Sequence, residues 1–257
     1  MLTAAHRSPR LGALAGLALA LGLLALLFGL FAQQGWWEAA LRGLFPDQRT
    51  VVFGRATLLE LGLEHLRIVG LATLVTLLFG LPLGVWLTRP SGRAFLPLAS
   101  NLLSIGQTFP PVAVLALALP YFGFGLRPTL IALVAYGLLP VVRNTVAGLE
   151  AVPLALKEAA RGMGMGPLRL LLTVELPLAV RVILAGVRIS VIYTIGTATV
   201  APLIGAGGLG VPIIAGLAVS NLALVIQGAV PVALLALLTD FALGRLELAL
   251  TPAGLQR

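Results

Sequence analysis

The sequence predicts an all-α polytopic membrane protein with about six transmembrane helices. Hydrophobic residues make up 59% of its 257 positions and charged residues only 10%, where about 25% charged is ordinary for soluble domains. The mean hydropathy is +1.06. The apolar residues gather into runs of about 20, the length a helix needs to cross a bilayer. The runs are continuous rather than alternating, which excludes a β-barrel, whose strands alternate lipid-facing and lumen-facing residues.

Taken in order, the first run covers residues 11–32, after His6, Arg7 and Arg10. It exceeds the roughly 7–15 apolar residues of a signal peptide, and its exit, LFAQQ, lacks a small-x-small cleavage pattern. It is therefore read as a retained first helix. Residues 33–66 interleave Arg42, Arg49, Arg55 with Glu38, Asp47, Glu60 and Glu64, as in an extramembrane segment. His65 is expected in the interface, at the start of a second span over 67–88. The third run, 95–120, holds Pro110 and Pro111, which should kink it. A fourth span is expected over 128–146, a fifth over 178–201 and a sixth over 222–243. These divide the chain into an N-terminal helix with its outer segment (1–59), a transmembrane core (60–246) and a tail (247–257).

The net charge of +8 follows topology rather than nucleic-acid binding. With the N-terminus in the cytoplasm, 11 of the 17 Lys and Arg residues fall inside, 5 outside, and Arg188 within a helix. That bias predicts cytoplasmic N- and C-termini. Cysteine is absent, so thiolate chemistry and disulfides are excluded. The histidines lie 59 positions apart and no His/Glu cluster has metal-ligand spacing. The sole lysine, Lys157, is followed by Glu158, whereas a phosphate-binding loop requires Gly-Lys-Ser/Thr. No Ser-His-Asp grouping or embedded acid pair suggests hydrolysis or a proton relay. The chain is expected to be non-catalytic and to carry no cofactor.

One long loop between the fourth and fifth spans, about 147–177, departs from this greasy background. Residues 157–177, KEAARGMGMGPLRLLLTVELP, hold Lys157, Glu158, Arg161, Arg169 and Glu175, with Gly162, Gly164 and Gly166. Pro153 suits a helix start and LALKEAAR supplies strong helix formers. The glycines should break that helix, and Pro167 should start a second one ending at Pro177. Ala159 and Ala160 would offer a low face for close approach, and Met163 and Met165 adaptable apolar contacts. An amphipathic connector resting on lipid headgroups is the plainer alternative.

The spacing in this loop resembles the EAA signature of permease subunits of ABC importers. Glu158, Ala159 and Ala160, then three residues, Gly164, nine residues and VELP match it, with Leu176 and Pro177 at its end and Val174 where isoleucine is common. Further strings are similar to permeases of osmoprotectant importers, which carry glycine betaine, choline and carnitine: SIGQTFPPVAVLALALP (104–120), YGLLPVVRNTVAGLEAVP (136–153) and IGTATVAPLIGAGGLG (195–210). Methionine and phosphonate permeases have a comparable GAGGLG string. Where the family often has an acid after that string, this chain has Val211. The resemblance implies a type I importer fold of the MetI-like kind in a bacterial inner membrane. It also implies that Glu158, Ala159, Ala160, Gly162, Met163, Gly164, Met165, Leu176 and Pro177 engage a separate ATP-binding subunit in two copies. ATP and Mg would sit on that partner. A second permease, identical or a paralogue, and an extracytoplasmic solute-binding protein complete the implied assembly.

Two polar stripes are candidates for the translocation path: Asn101, Ser104 and Thr108 on the third span, and Ser190, Tyr193, Thr194 and Thr197 on the fifth. They read equally as a cavity lining or as hydroxyl contacts between helices. Arg188 is expected to reach the inner surface or line an inner vestibule. Cation–π cages suit quaternary ammonium groups, yet aromatics are only 6% of the chain and concentrate outside the matched spans. A stand-alone secondary transporter or a membrane scaffold would leave the EAA spacing unexplained.

Overall fold

A computed structural model describes residues 9–251. Arg7 and Arg257, which enter the charge count above, and His6 lie outside the described residues. Among those described, five helices are long and apolar enough to cross a membrane, or six if one sharply bent pair counts as a span. The helices are α1 (Pro9–Phe31), α2 (Gln34–Leu44), α3 (Leu58–Leu87), α4 (Leu96–Thr108), α5 (Pro111–Phe122), α6 (Leu126–Glu150), α7 (Leu154–Gly162), α8 (Pro167–Leu170), α9 (Leu176–Thr197), α10 (Gly210–Ala218) and α11 (Leu222–Leu250).

The second span begins earlier than its hydropathy suggests. The Thr57 hydroxyl accepts the Glu60 N–H at 3.2 Å, while Glu60 accepts the Thr57 N–H at 2.8 Å. This reciprocal cap satisfies two donors that a helix start leaves unpaired, so α3 runs 30 residues from Leu58. His65 consequently lies two turns inside the helix and is fully buried, not in the interface as expected. Its Nε2 lies 3.1 Å from the Ile195 carbonyl oxygen of α9.

The third run is broken rather than kinked. The helical segment ending in α4 and helix α5 meet at 98°. Pro110 and Pro111 remove two consecutive N–H donors, and a residue before proline is driven out of helical geometry; Phe109 is extended, at φ −70° and ψ 136°. Helix α6 braces the break. The Tyr136 hydroxyl donates to the Phe109 carbonyl, and Gln107 Nε2 donates to the Tyr136 carbonyl at 2.9 Å.

Helix α6 is the hub, packed against α3 and α9. Small residues permit the approach, as is common where apolar helices meet in lipid. A methyl group on Gly137 would stand 2.8 Å from Ser190 Oγ, and one on Gly80 2.9 Å from Val141 Cγ1. The fifth span begins earlier than its run. Helix α8, a π-helical turn over Leu171–Glu175 and α9 follow one another directly, forming one continuous helical span from Pro167 to Ile204. The surface helix expected to stop at Pro177 therefore does not stop. The wider turn before Pro177 gives its ring room and removes the demand for its missing N–H.

The segment between α2 and α3 is strapped to the last span. The Asn221 carboxamide caps α11 by accepting from the Ala223 and Leu224 N–H groups, and donates to the Thr50 carbonyl at 2.7 Å. Gln227, buried in α11, accepts the Phe53 N–H at 2.7 Å. Helix α11 continues to Leu250, past the predicted end of the sixth run and into the segment expected as a tail.

Candidate functional site

The EAA loop folds into a short helix and a defined reversal. In α7 the first helical residue follows Pro153, and the helix stops where Gly164 takes φ +81°. The Gly164 N–H donates to the Arg161 carbonyl at 2.9 Å, and the Met165 N–H to the Ala160 carbonyl at 3.1 Å. This pair of bonds is the Schellman arrangement, which uses a left-handed residue to satisfy the last carbonyls of a helix. Gly162 has no such backbone demand, since no positive φ is assigned to it. Ala160 is buried against the body of the protein. Glu158, Ala159, Gly162, Met163 and Gly164 face outward, with Met163 71% exposed. Met165 and Leu176 are half-buried and Pro177 is exposed. Leu154, Leu156 and Leu168 are also exposed, so the loop presents apolar side chains among charged ones.

A buried carboxylate that the motif alone did not single out fastens this loop to the spans. The Glu175 side chain is 3% exposed and accepts from Arg89 Nη2 at 2.5 Å. Lys157 Nζ stands 3.8 Å from its other oxygen and donates to the Leu149 carbonyl at 2.8 Å. That carbonyl lies in the last turn of α6, where helix geometry leaves acceptors unpaired and cations are favoured. One carboxylate thus links the end of α3, the end of α6, α7 and the π turn. The signal in the sequence is that Glu175 is the only acid between Glu158 and Asp240, a charge with no local partner in an apolar setting. Which cation would answer it could not be read along the chain.

The two polar stripes have different fates. Ser190 and Thr194 are buried between helices. Ser190 Oγ donates across to the Gly137 carbonyl at 2.9 Å, and Thr194 Oγ1 back to the Ser190 carbonyl at 2.8 Å. These hydroxyls bond to backbone between and along the helices and are not among the residues lining the two grooves on α9. Tyr193 and Thr197 point the other way, into an open groove of about 450 Å³ shared with Pro111, Ile192, Gly196 and Val200. On α4, Ser104 and Thr108 bond to carbonyls of their own helix at 2.7 Å each, and Asn101 is exposed. Asn101, Ser104 and Thr108 are not among the residues lining the groove that Tyr193 and Thr197 face.

Arg188 does not reach away to the surface. Its Nε and Nη2 each donate at 2.6 Å to the two carboxylate oxygens of Asp240 on α11, the planar two-point geometry that suits guanidinium and carboxylate. Glu247 lies 3.9 Å from Arg188 and 3.5 Å from Arg181. Asp240 sits near the end of the predicted sixth run, but ten residues before the actual end of α11.

With this geometry in place, comparison with known proteins is informative. The profile of the binding-protein-dependent transport system inner membrane component family matches residues 80–251. The choline transport system permease protein of Bacillus subtilis is 44% identical over 194 residues, covering 76% of this chain and 88% of that one. The carnitine transport permease protein of Listeria monocytogenes is 42% identical over 193 residues, covering 75% and 88% respectively. Among solved structures, a methionine ABC transporter in inward-facing conformations superposes with a TM-score of 0.67 at 25% identity, over 76% of this chain and 96% of that one.

Proposed function

Because the chain belongs to the family of binding-protein-dependent transport system inner membrane components, we propose that it forms the membrane path of an ATP-driven importer for small quaternary ammonium osmoprotectants such as choline, carnitine or glycine betaine. It is an ABC permease subunit, so its work requires an ATP-binding subunit and a solute-binding protein. Two copies of the ATP-binding subunit, carrying ATP and Mg, would serve two permeases, this chain paired with itself or with a paralogue. The transmembrane core over about 60–246 would form the path, and both termini would lie in the cytoplasm.

The observation that carries this reading is the loop from Leu154 to Pro177. It combines an outward apolar and charged face with a Schellman reversal and a buried ionic anchor to α3 and α6. A connector lying on lipid needs no such anchor. A face that is both exposed and rigidly tied to spans can receive a push from a partner and pass it on. We assign Glu158, Ala159, Gly162, Met163, Gly164 and Met165 to contact with the ATPase, and Leu176 and Pro177 to the junction with α9; Ala160, expected on the same face, is buried and seats α7 on the protein instead. The permeases named for choline and carnitine support the solute class, since they are over 40% identical to this chain.

The test is reconstitution of the tagged permease with its ATPase and solute-binding protein. Uptake of labelled choline or glycine betaine should require all three and ATP. Methionine uptake in place of either would assign the chain to the methionine branch, while uptake without an ATPase would refute the importer reading.

A further inference from the structure

The Arg188–Asp240 pair lies within two of the candidate spans yet is open to its surroundings. Arg188 lies twelve residues from the start of α9 and Asp240 ten from the end of α11, about 18 Å and 15 Å along their helices. Their side chains keep 34% and 42% of their surface exposed. Ionised groups within membrane spans face protein or water-filled cavities rather than hydrocarbon. The pair lines a groove of about 460 Å³ together with Glu247, Tyr193 and apolar residues of α9. Tyr193 and Ile192 also line the next groove along the same helix, with Thr197, so the two openings adjoin at these residues.

The four charges here offset one another: Arg181 and Arg188 against Asp240 and Glu247. A lone carboxylate would hold a cation so firmly that release would be slow, and a lone guanidinium would repel it. A carboxylate already engaged in two bonds attracts weakly, which suits a path that a solute must both enter and leave. Beside it, Tyr193 is 57% exposed and offers the aromatic face on which quaternary ammonium groups rest. The scarcity of aromatics in the spans is thus no obstacle: one is placed where the carboxylate is.

Resting on the importer reading above, we propose that Asp240, held by Arg188 and flanked by Tyr193, is a transient station for the quaternary ammonium head of the solute and sets the selectivity between cationic and zwitterionic cargo. Removing the acid leaves Arg188 only its longer contact with Glu247 at 3.9 Å, so its positive charge is less well offset, which opposes choline but not the carboxylate end of glycine betaine.

The experiment uses the complete transporter in proteoliposomes, comparing labelled choline with labelled glycine betaine. Asp240→Asn should lower choline uptake about tenfold more than glycine betaine uptake, with Tyr193→Leu lowering both. The exchange Arg188→Asp with Asp240→Arg should recover part of the choline uptake. Detergent-stable recovery of the assembled complex, measured for every variant, separates this from misfolding. Equal losses of both solutes that track the amount of complex would mean that the pair only holds α9 to α11, and would overturn the proposal. Unchanged selectivity in well-assembled Asp240→Asn would overturn it too. A wild-type transporter that moves neither solute would instead refute the osmoprotectant reading, and this station with it.

Discussion

Gly164→Val tests whether the loop reversal transmits force. Gly164 has φ +81°, a region that disfavours residues bearing Cβ by about 1–2 kcal/mol, and β-branched ones most. Space is not the difficulty, because a methyl group built on Gly164 meets nothing within 4 Å. The cost is therefore backbone strain, joined by the two reversal bonds at 2.9 and 3.1 Å that a shifted backbone would lose. Net worth is about 1 kcal/mol for each such bond. If all of this, about 3–4 kcal/mol, falls on the docking geometry, the competent loop becomes roughly a hundredfold to several hundredfold rarer at about 1.4 kcal/mol per factor of ten. The spans do not share this strain, so membrane insertion should be normal. Measured on the reconstituted complex, Gly164→Val should lower solute uptake at least about tenfold and weaken co-purification of the ATPase. Gly164→Asn, which tolerates left-handed geometry, should keep much of both. Gly162→Ala separates backbone strain from contact with the ATPase: no positive φ is assigned to Gly162 and a methyl group there meets nothing within 4 Å, so α7 should fold as before and any loss of uptake should be far smaller than that of Gly164→Val. Wild-type uptake by a well-expressed Gly164→Val variant would refute the reasoning, as would equal damage from Gly162→Ala.

Three further outcomes follow from the same contacts. Glu175→Gln should loosen the loop by about 1.5–3 kcal/mol, the range for charge-assisted hydrogen bonds, toward the lower end because Arg89 is 26% exposed. The reading is ATP hydrolysis that persists but responds poorly to loaded binding protein, and tight coupling in the variant would count against the anchor. Gly137→Val should cost several kcal/mol through overpacking against Ser190 and Thr76, seen as lost thermal stability in detergent; an unshifted melting curve would contradict the packing described. Single cysteines at exposed positions 50 and 220 should react with an impermeant thiol reagent in intact cells, whereas 91 and 163, equally exposed, should not; labelling at 163 from outside would reverse the topology.

What the sequence by itself determined was dictated by solvent and by local geometry. Lipid offers no hydrogen bonds, so each span must satisfy its own backbone within one segment, and hydropathy alone locates α1, α3, α6, α9 and α11. The EAA loop was legible for a similar reason: α7, its glycine reversal and the order of residues around them depend on a few adjacent φ and ψ angles. Helix ends were harder. The reach of α3 back to Leu58 rested on a Thr57–Glu60 cap, a short polar pattern that hydropathy passes over, and the run through Pro177 on a π turn that relieves a proline.

Tertiary structure decided whatever depended on partners distant in sequence. Arg188 meets Asp240 across 52 residues and Arg89 meets Glu175 across 86, separations over which no periodicity carries information. His65 became a buried core residue only because α9 lays the Ile195 carbonyl beside it. Within the single stripe Ser190, Tyr193, Thr194 and Thr197, the neighbour across each helix face settled the role. Where α6 presses close, at Gly137, the hydroxyl of Ser190 binds backbone; on another side of α9, Tyr193 and Thr197 open onto a groove bordered by Pro111 of α5. Helical spacing specifies which residues share a side, but only packing decides what that side meets.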